Sequence, residues 1–134
     1  MKKFTISKST WRRGGEKQHH IQYGKVALLN EKGFMCCLGF ICEQSGVDKK
    51  DLLNCAEPNE IPLDCGEQVK FLVCSNEEED EDYEGNIVST PYLTDTQLTE
   101  EAIAINDNPA LSDEERIEQL TELFESEGIV LEFV

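Results

Sequence analysis

The sequence predicts an α+β fold in a single domain over residues 1–134, with a small mixed or antiparallel sheet and about four helices. Three observations point there. Phe4 and Ile6 alternate with polar residues at the start, and the closing run Ile129 to Val134 sets Ile129, Leu131 and Phe133 on one face, which suits strands with one buried face. Between Leu98 and Phe124 the apolar positions fall three and four apart, the spacing of a helix that buries one stripe. The length, 134 residues, matches one domain that buries roughly two thirds of its unfolded surface around one core.

Taken in order, Phe4 and Ile6 predict a short edge strand, followed by a polar loop from Lys8 to Gly15 that holds the chain's only tryptophan. Lys25 to Asn30 reads as a second strand, closed by the turn Asn30-Glu31-Lys32-Gly33, where glycine accommodates positive φ. Phe34 to Cys42 is the most apolar run and predicts a central helix from about Cys36 to Ser45, stopped by Gly46. Asp48 predicts the cap of a short helix through Asn54, with Asp51 as its reciprocal acid. Val69, Phe71 and Val73 alternate and predict a strand within Glu67 to Ser75. The run from Asn76 to Gly85 has acids at seven of the eight positions 77–84, and predicts a mobile, solvated loop or hairpin tip. Thr94-Asp95-Thr96 opens a helix to about Asn106, and the capping box Ser112-Asp113-Glu114-Glu115 opens another, with Ile117, Leu120, Leu123 and Phe124 on its buried face. Gly128 ends that helix before the final strand, so the expected order is β, β, α, α, β, α, α, β.

Charge is divided unevenly. Residues 1–50 carry ten Lys or Arg against four acids, a local +6, while residues 51–134 carry two against twenty-four, a local −22. Summed charge governs encounter and non-specific binding more than it governs fold. The acidic part should repel bare nucleic acid and membrane surfaces and attract basic proteins. No stretch approaches the ~20 apolar residues of a membrane span, and no apolar segment follows Lys2 and Lys3 as in a secretion signal, so a cytoplasmic protein is expected. In that setting the six cysteines, Cys36, Cys37, Cys42, Cys55, Cys65 and Cys74, read as reduced core thiols. No Cys-x-x-Cys pair suggests zinc, and neither metal nor cofactor is expected.

Three constellations could carry function. The first is acidic: Glu77, Glu78, Glu79, Asp80, Glu81, Asp82 and Glu84 in the loop, with Glu100, Glu101, Asp107, Asp113 and Glu115 beside a ridge of Glu114, Glu118, Glu122 and Glu125 spaced four, four and three along one helix. A row of carboxylates at that spacing can imitate a phosphate backbone and occupy a groove lined by Lys and Arg. Against an EF-hand template the loop fails, because Pro91 stands where a bidentate Glu is needed. The second constellation pairs Cys36 or Cys37, near a helix N-terminus, with His19 or His20 as base; no protease signature accompanies it. The third is Trp11, Arg12, Arg13, Gly14 and Gly15, which offer guanidinium groups, a stacking ring and backbone donors to a phosphorylated small molecule such as a nucleotide, without Walker spacing. The basic N-terminal region is also expected to pair with the acidic C-terminal part, within one molecule or between copies.

The segments Leu28-Leu29-Asn30, Gly33 and Cys36-Cys37-Leu38-Gly39-Phe40, with Ile105-Asn106-Asp107, Glu114-Glu115-Arg116 and Gly128 to Phe133, resemble small proteins encoded by bacteriophages and prophages. The resemblance implies a viral origin and a bacterial host's cytoplasm, and it carries over no catalytic residue. By analogy with small acidic phage proteins that block host machinery, the chain is expected to be a non-enzymatic inhibitor. Its target would be a basic host protein of nucleic-acid handling or defence.

Overall fold

The computed structural model describes residues 2–13 and 28–134. In chain order these residues form β1 (Lys2–Ile6), α1 (Cys37–Gln44), α2 (Lys49–Leu52), two 3-10 segments (Pro58–Glu60 and Leu63–Val69), β2 (Val73–Glu81), β3 (Ile87–Asp95), α3 (Gln97–Asp107), α4 (Asp113–Glu125) and β4 (Ile129–Phe133). The fold is α+β, as expected from the sequence. Its four described strands make two separate two-stranded ladders, β1 with β4 in parallel and β2 with β3 antiparallel.

The β1–β4 ladder joins the two ends of the chain, with Phe4 opposite Leu131. Alternation puts Phe4, Ile6, Ile129 and Leu131 into the core while Lys3 and Glu132 form an ion pair at 2.6 Å on the outside. The far edge of β1 is covered by a side chain. Gln44, the last residue of α1, accepts from Thr5 N–H at 2.9 Å and donates to Thr5 C=O at 2.6 Å, copying the bonds a neighbouring strand would make. Helix α1 is buried from Cys37 to Cys42 and ends where Gly46 adopts φ +108°. Gly39 lies against the Leu28 carbonyl so closely that any Cβ would fall on that oxygen.

Several expectations are corrected. Residues 25–27 of the expected second strand lie outside the described residues; Leu29 forms an isolated bridge with Leu53. That bridge explains why α2 stops at Leu52: Asn54 takes φ +64° and donates its N–H to the Leu29 carbonyl, leaving the helical path. Asp48 occupies the N-cap position of α2, but its side chain makes no capping bond. The segment expected as a strand from Glu67 instead continues a 3-10 helix to Val69, in which Gly66 packs beneath Leu93 and Val73; a Cβ there would sit 2.9 Å from Leu93 Cδ2. The strand begins only at Val73, and it runs through the acidic residues expected to form a loop.

Helices α3 and α4 follow their local signals. Thr96 caps α3, accepting from Thr99 N–H, and Ser112 with Glu115 forms the capping box of α4. Leu98, Ala102, Leu120 and Phe124 are buried, and so are Asn106 and Arg116, each 1% exposed. Arg116 donates to Asp113 Oδ1 at 2.9 Å and to the Asn108 carbonyl at 2.6 Å. Asn106 accepts from Trp11 Nε1 (2.7 Å) and Cys37 N–H (3.3 Å), and donates to the Arg12 carbonyl (3.2 Å) and Asp107 Oδ1 (2.9 Å). One amide thereby ties the N-terminal loop, the start of α1 and the end of α3 together.

Candidate interaction surface

The acidic run folds as an arm. Residues 76–81 belong to β2, whose nine residues pair with the nine of β3 from Val73 opposite Asp95 to Glu81 opposite Ile87. The expected loop or hairpin tip is confined to residues 82–86, and residues 76–81 are strand because of their partner: β3 supplies Ile87, Val88, Ser89, Thr90, Pro91 and Tyr92, none charged, so the acids of β2 face neutral residues. The ladder's backbone bonds satisfy the chain while every acidic side chain from Glu77 to Glu84 stays exposed. At the tip, Asp82 Oδ1 accepts from Glu84 N–H and Asn86 N–H, both at 2.9 Å, and Gly85 takes φ +79°. The bonds from Asn86 and then Glu84 hold the Asp82 carboxyl below the usual carboxylate range.

The phase of the ladder follows from its two ends. Asp82 N–H donates to Asn86 O beyond one end, and Thr96 N–H to Leu72 O beyond the other. Even-numbered residues of β2 therefore bond inward to β3, while Ser75, Glu77, Glu79 and Glu81 turn their N–H and C=O groups outward. The same phase puts Pro91, opposite Glu77, in a pair without backbone bonds, so its missing N–H falls on the outer edge of β3 and costs the ladder nothing. Pleating puts Glu77, Glu79 and Glu81 on one face and Glu78 with Asp80 on the other.

The arm also carries exposed apolar side chains that the sequence reading did not single out: Tyr83 at the tip, fully exposed, and Ile87, Val88 and Tyr92 on β3. The β-branched and aromatic run after Gly85-Asn86 was the signal that could have found them.

On α4, Glu114, Glu118, Glu122 and Glu125 are all exposed, on the side away from buried Leu120 and Phe124. Glu100 and Glu101 on α3 and Glu115 on α4 are exposed too. Two acids expected on this face belong inside instead. Asp113 binds Arg13 through both oxygens, at 2.9 and 2.8 Å, and also Arg116. Asp107 is partly buried against Asn106, and burial raises its pKa. Among the described residues no ion pair involves Glu77 to Glu84 or the four-glutamate ridge of α4.

The other constellations are placed as follows. Trp11 is 1% exposed, its ring 5.0 Å from that of Phe133 and its Nε1–H on Asn106. The Arg13 guanidinium stacks 4.8 Å over the Trp11 ring and grips Asp113, so the ring and this guanidinium already have partners within the fold. Arg12 is half-buried, and Gly14 and Gly15 lie outside the described residues. The Lys3–Glu132 and Arg13–Asp113 pairs join N-terminal cations to C-terminal acids within one molecule.

Cys36 stands at the N-cap of α1, yet burial pushes its thiol up to about 12 and raises Cys37 and Cys42 as well, so desolvation outweighs the helix dipole and none is poised as a thiolate. His19 and His20 lie outside the described residues. A cleft of about 530 Å³ is lined by Asp48, Asp51, Asp64 and Cys65, with the Cys65 thiol directed at Asp51 Oδ2 (3.8 Å). Among the described residues, no group of three or more His, Cys, Asp or Glu side chains is arranged to hold a metal ion, and no helix is long and apolar enough to cross a membrane. No protein-family model, curated protein or solved structure matches the chain.

Proposed function

We propose that the chain is a non-enzymatic phage protein that acts in the cytoplasm of a bacterial host, where it binds and inhibits a basic protein of nucleic-acid handling or defence. The observation that carries this reading is the acidic arm: seven carboxylates on β2 and its tip, all exposed and none in an ion pair among the described residues. Its unrelieved self-repulsion favours an approaching cation. Tyr83, Ile87, Val88 and Tyr92 add apolar contact area to the same arm, the combination of anchors and charged rim that protein interfaces use. The ridge of α4 supplies a second row of carboxylates, spaced about one helical turn apart, that imitates phosphates.

The test is affinity capture from host lysate along a salt gradient, followed by titration of the retained protein with charge-neutralised variants. Glu77→Gln with Glu79→Gln and Glu81→Gln should weaken binding by at least about tenfold and flatten its dependence on salt. The set Glu114→Gln, Glu118→Gln, Glu122→Gln and Glu125→Gln should do the same to a lesser degree. Binding that ignores both salt and these substitutions would sink the proposal.

A further inference from the structure

We infer that the outer edge of β2, from Ser75 to Glu81, takes up an extended basic segment of the partner as an added strand; this rests on the reading that the acidic arm binds a basic protein. Three observations carry it. First, the edge is open. The ladder phase turns the N–H and C=O groups of Ser75, Glu77, Glu79 and Glu81 outward, and no described residue bonds to them, whereas the far edge of β1 is covered by Gln44. Such a row of unpaired groups is a template for another strand.

Second, the two edges of the hairpin differ. On β3 the outward position at Pro91 has no N–H, so that edge is interrupted at its middle, while β2 carries neither proline nor glycine along its nine residues. Third, charge selects the occupant. A second copy of β2 laid alongside would set glutamates against glutamates on both faces, and like charges directly opposite destabilise a ladder. The edge of β3 in a second copy is interrupted by its proline and brings no cation to the glutamates. A strand with Lys or Arg at alternate positions carries them on one face and meets carboxylates whichever face that is, Glu77, Glu79 and Glu81 on one or Glu78 and Asp80 on the other. The backbone bonds set register and the carboxylates set identity.

The test uses the full chain and two synthetic peptides, each nine residues long to match β2, made of alternating Lys and Thr. The second peptide has every backbone amide N-methylated, which keeps every side-chain charge and removes the donors of both edges. The plain peptide should bind at least about tenfold more tightly and should slow amide exchange at Glu77, Glu79 and Glu81. On the protein side, Glu79→Pro removes the carboxylate, as Glu79→Gln does, and an outward N–H besides, as Pro91 does on β3, and should reduce binding well beyond Glu79→Gln. Equal binding of the two peptides, with equal effects of the Pro and Gln variants, overturns strand addition but leaves charge-driven binding intact. Failure of both peptides to bind overturns strand addition and the acidic-arm reading together.

Discussion

Asn106 offers the sharpest test of how the N-terminal loop is held. Among the described residues its Oδ1 alone accepts from two buried donors, Trp11 Nε1–H at 2.7 Å and Cys37 N–H at 3.3 Å, and its Nδ2 donates to the Arg12 carbonyl and Asp107. Cys37 opens α1, and Cys36 supplies no side-chain cap, so Asn106 caps that helix from a distance. Asn106→Ala leaves both donors buried without a partner, at about 1–3 kcal/mol each, and a small void besides; the expected loss is about 3–5 kcal/mol. Against a total of roughly 5–15 kcal/mol for a domain of this size, that approaches unfolding. Asn106→Asp should cost at least as much, since its second oxygen would face the Arg12 carbonyl and the Asp107 carboxylate. Urea unfolding followed by circular dichroism measures all of these. In a double-mutant cycle, Trp11→Phe removes one orphaned donor, so the pair should cost about 1 kcal/mol less than the sum of the singles. A loss under about 1 kcal/mol for Asn106→Ala, at unchanged denaturant slope, would refute the argument.

Other expectations follow from the same geometry. Burial, and then the Glu57 charge, raise the Asp95 carboxyl to about 6, while Asn59 N–H on its Oδ1 pulls the other way. A carboxyl raised in the folded state binds its proton more tightly there than when unfolded. Its penalty is therefore absent below about pH 4, grows as pH rises from about 4 to 6, and is complete above. Asp95→Asn should remove that slope and stabilise the protein at pH 7 by on the order of 1 kcal/mol after allowance for solvent screening, with no gain at pH 4; denaturant midpoints across pH decide it. Gly39→Ala should destabilise by about 3 kcal/mol because its Cβ meets the Leu28 carbonyl, although helix propensity alone favours alanine by about 1 kcal/mol, so the sign of the change in melting temperature separates packing from propensity.

What was legible in the sequence is what local chemistry decides. The caps at Thr96 and Ser112, the stop at Gly128 and the turn at Gly33 act over a few residues, and the structure keeps them. The alternation at Phe4 and Leu131 identified two strands, but nothing local said that they pair with each other across the whole chain. The strand through residues 76–81 was hidden because charge density argued against it, while the signal for it lay on the opposite strand, in Ile87, Val88, Thr90 and Tyr92. Pro91 fits the ladder because it falls in a non-bonded pair, where its missing N–H lies on the outer edge. Arg116 and Asn106 were illegible for another reason. A polar residue is placed inside only when its partners converge on it, and those partners, Asp113, Asn108, Trp11 and Cys37, are assembled by the fold. The same assembly takes Arg13 and Trp11 out of the phosphate-binding loop expected around them.

Salt should act on the arm in two opposite directions, and the contrast separates its folding from its binding. Glu77, Glu79 and Glu81 project from one face at intervals of about 6.8 Å, two residues of strand rise, with Glu78 and Asp80 likewise on the other. That distance is below the ~8 Å screening length at 0.15 M salt and above the ~3 Å length at 1 M, so each repulsion weakens roughly fourfold between the two. The free hairpin should therefore tighten in high salt. Exchange of the inward amides at Asn76, Glu78 and Asp80, which bond to β3, should slow by about threefold between those conditions, because opening relieves less repulsion. A basic partner held by the same carboxylates should be released over the same range. If salt instead loosened the hairpin, the carboxylates would be held by attraction within the protein, and an arm kept unsatisfied for a partner would be the wrong description of it.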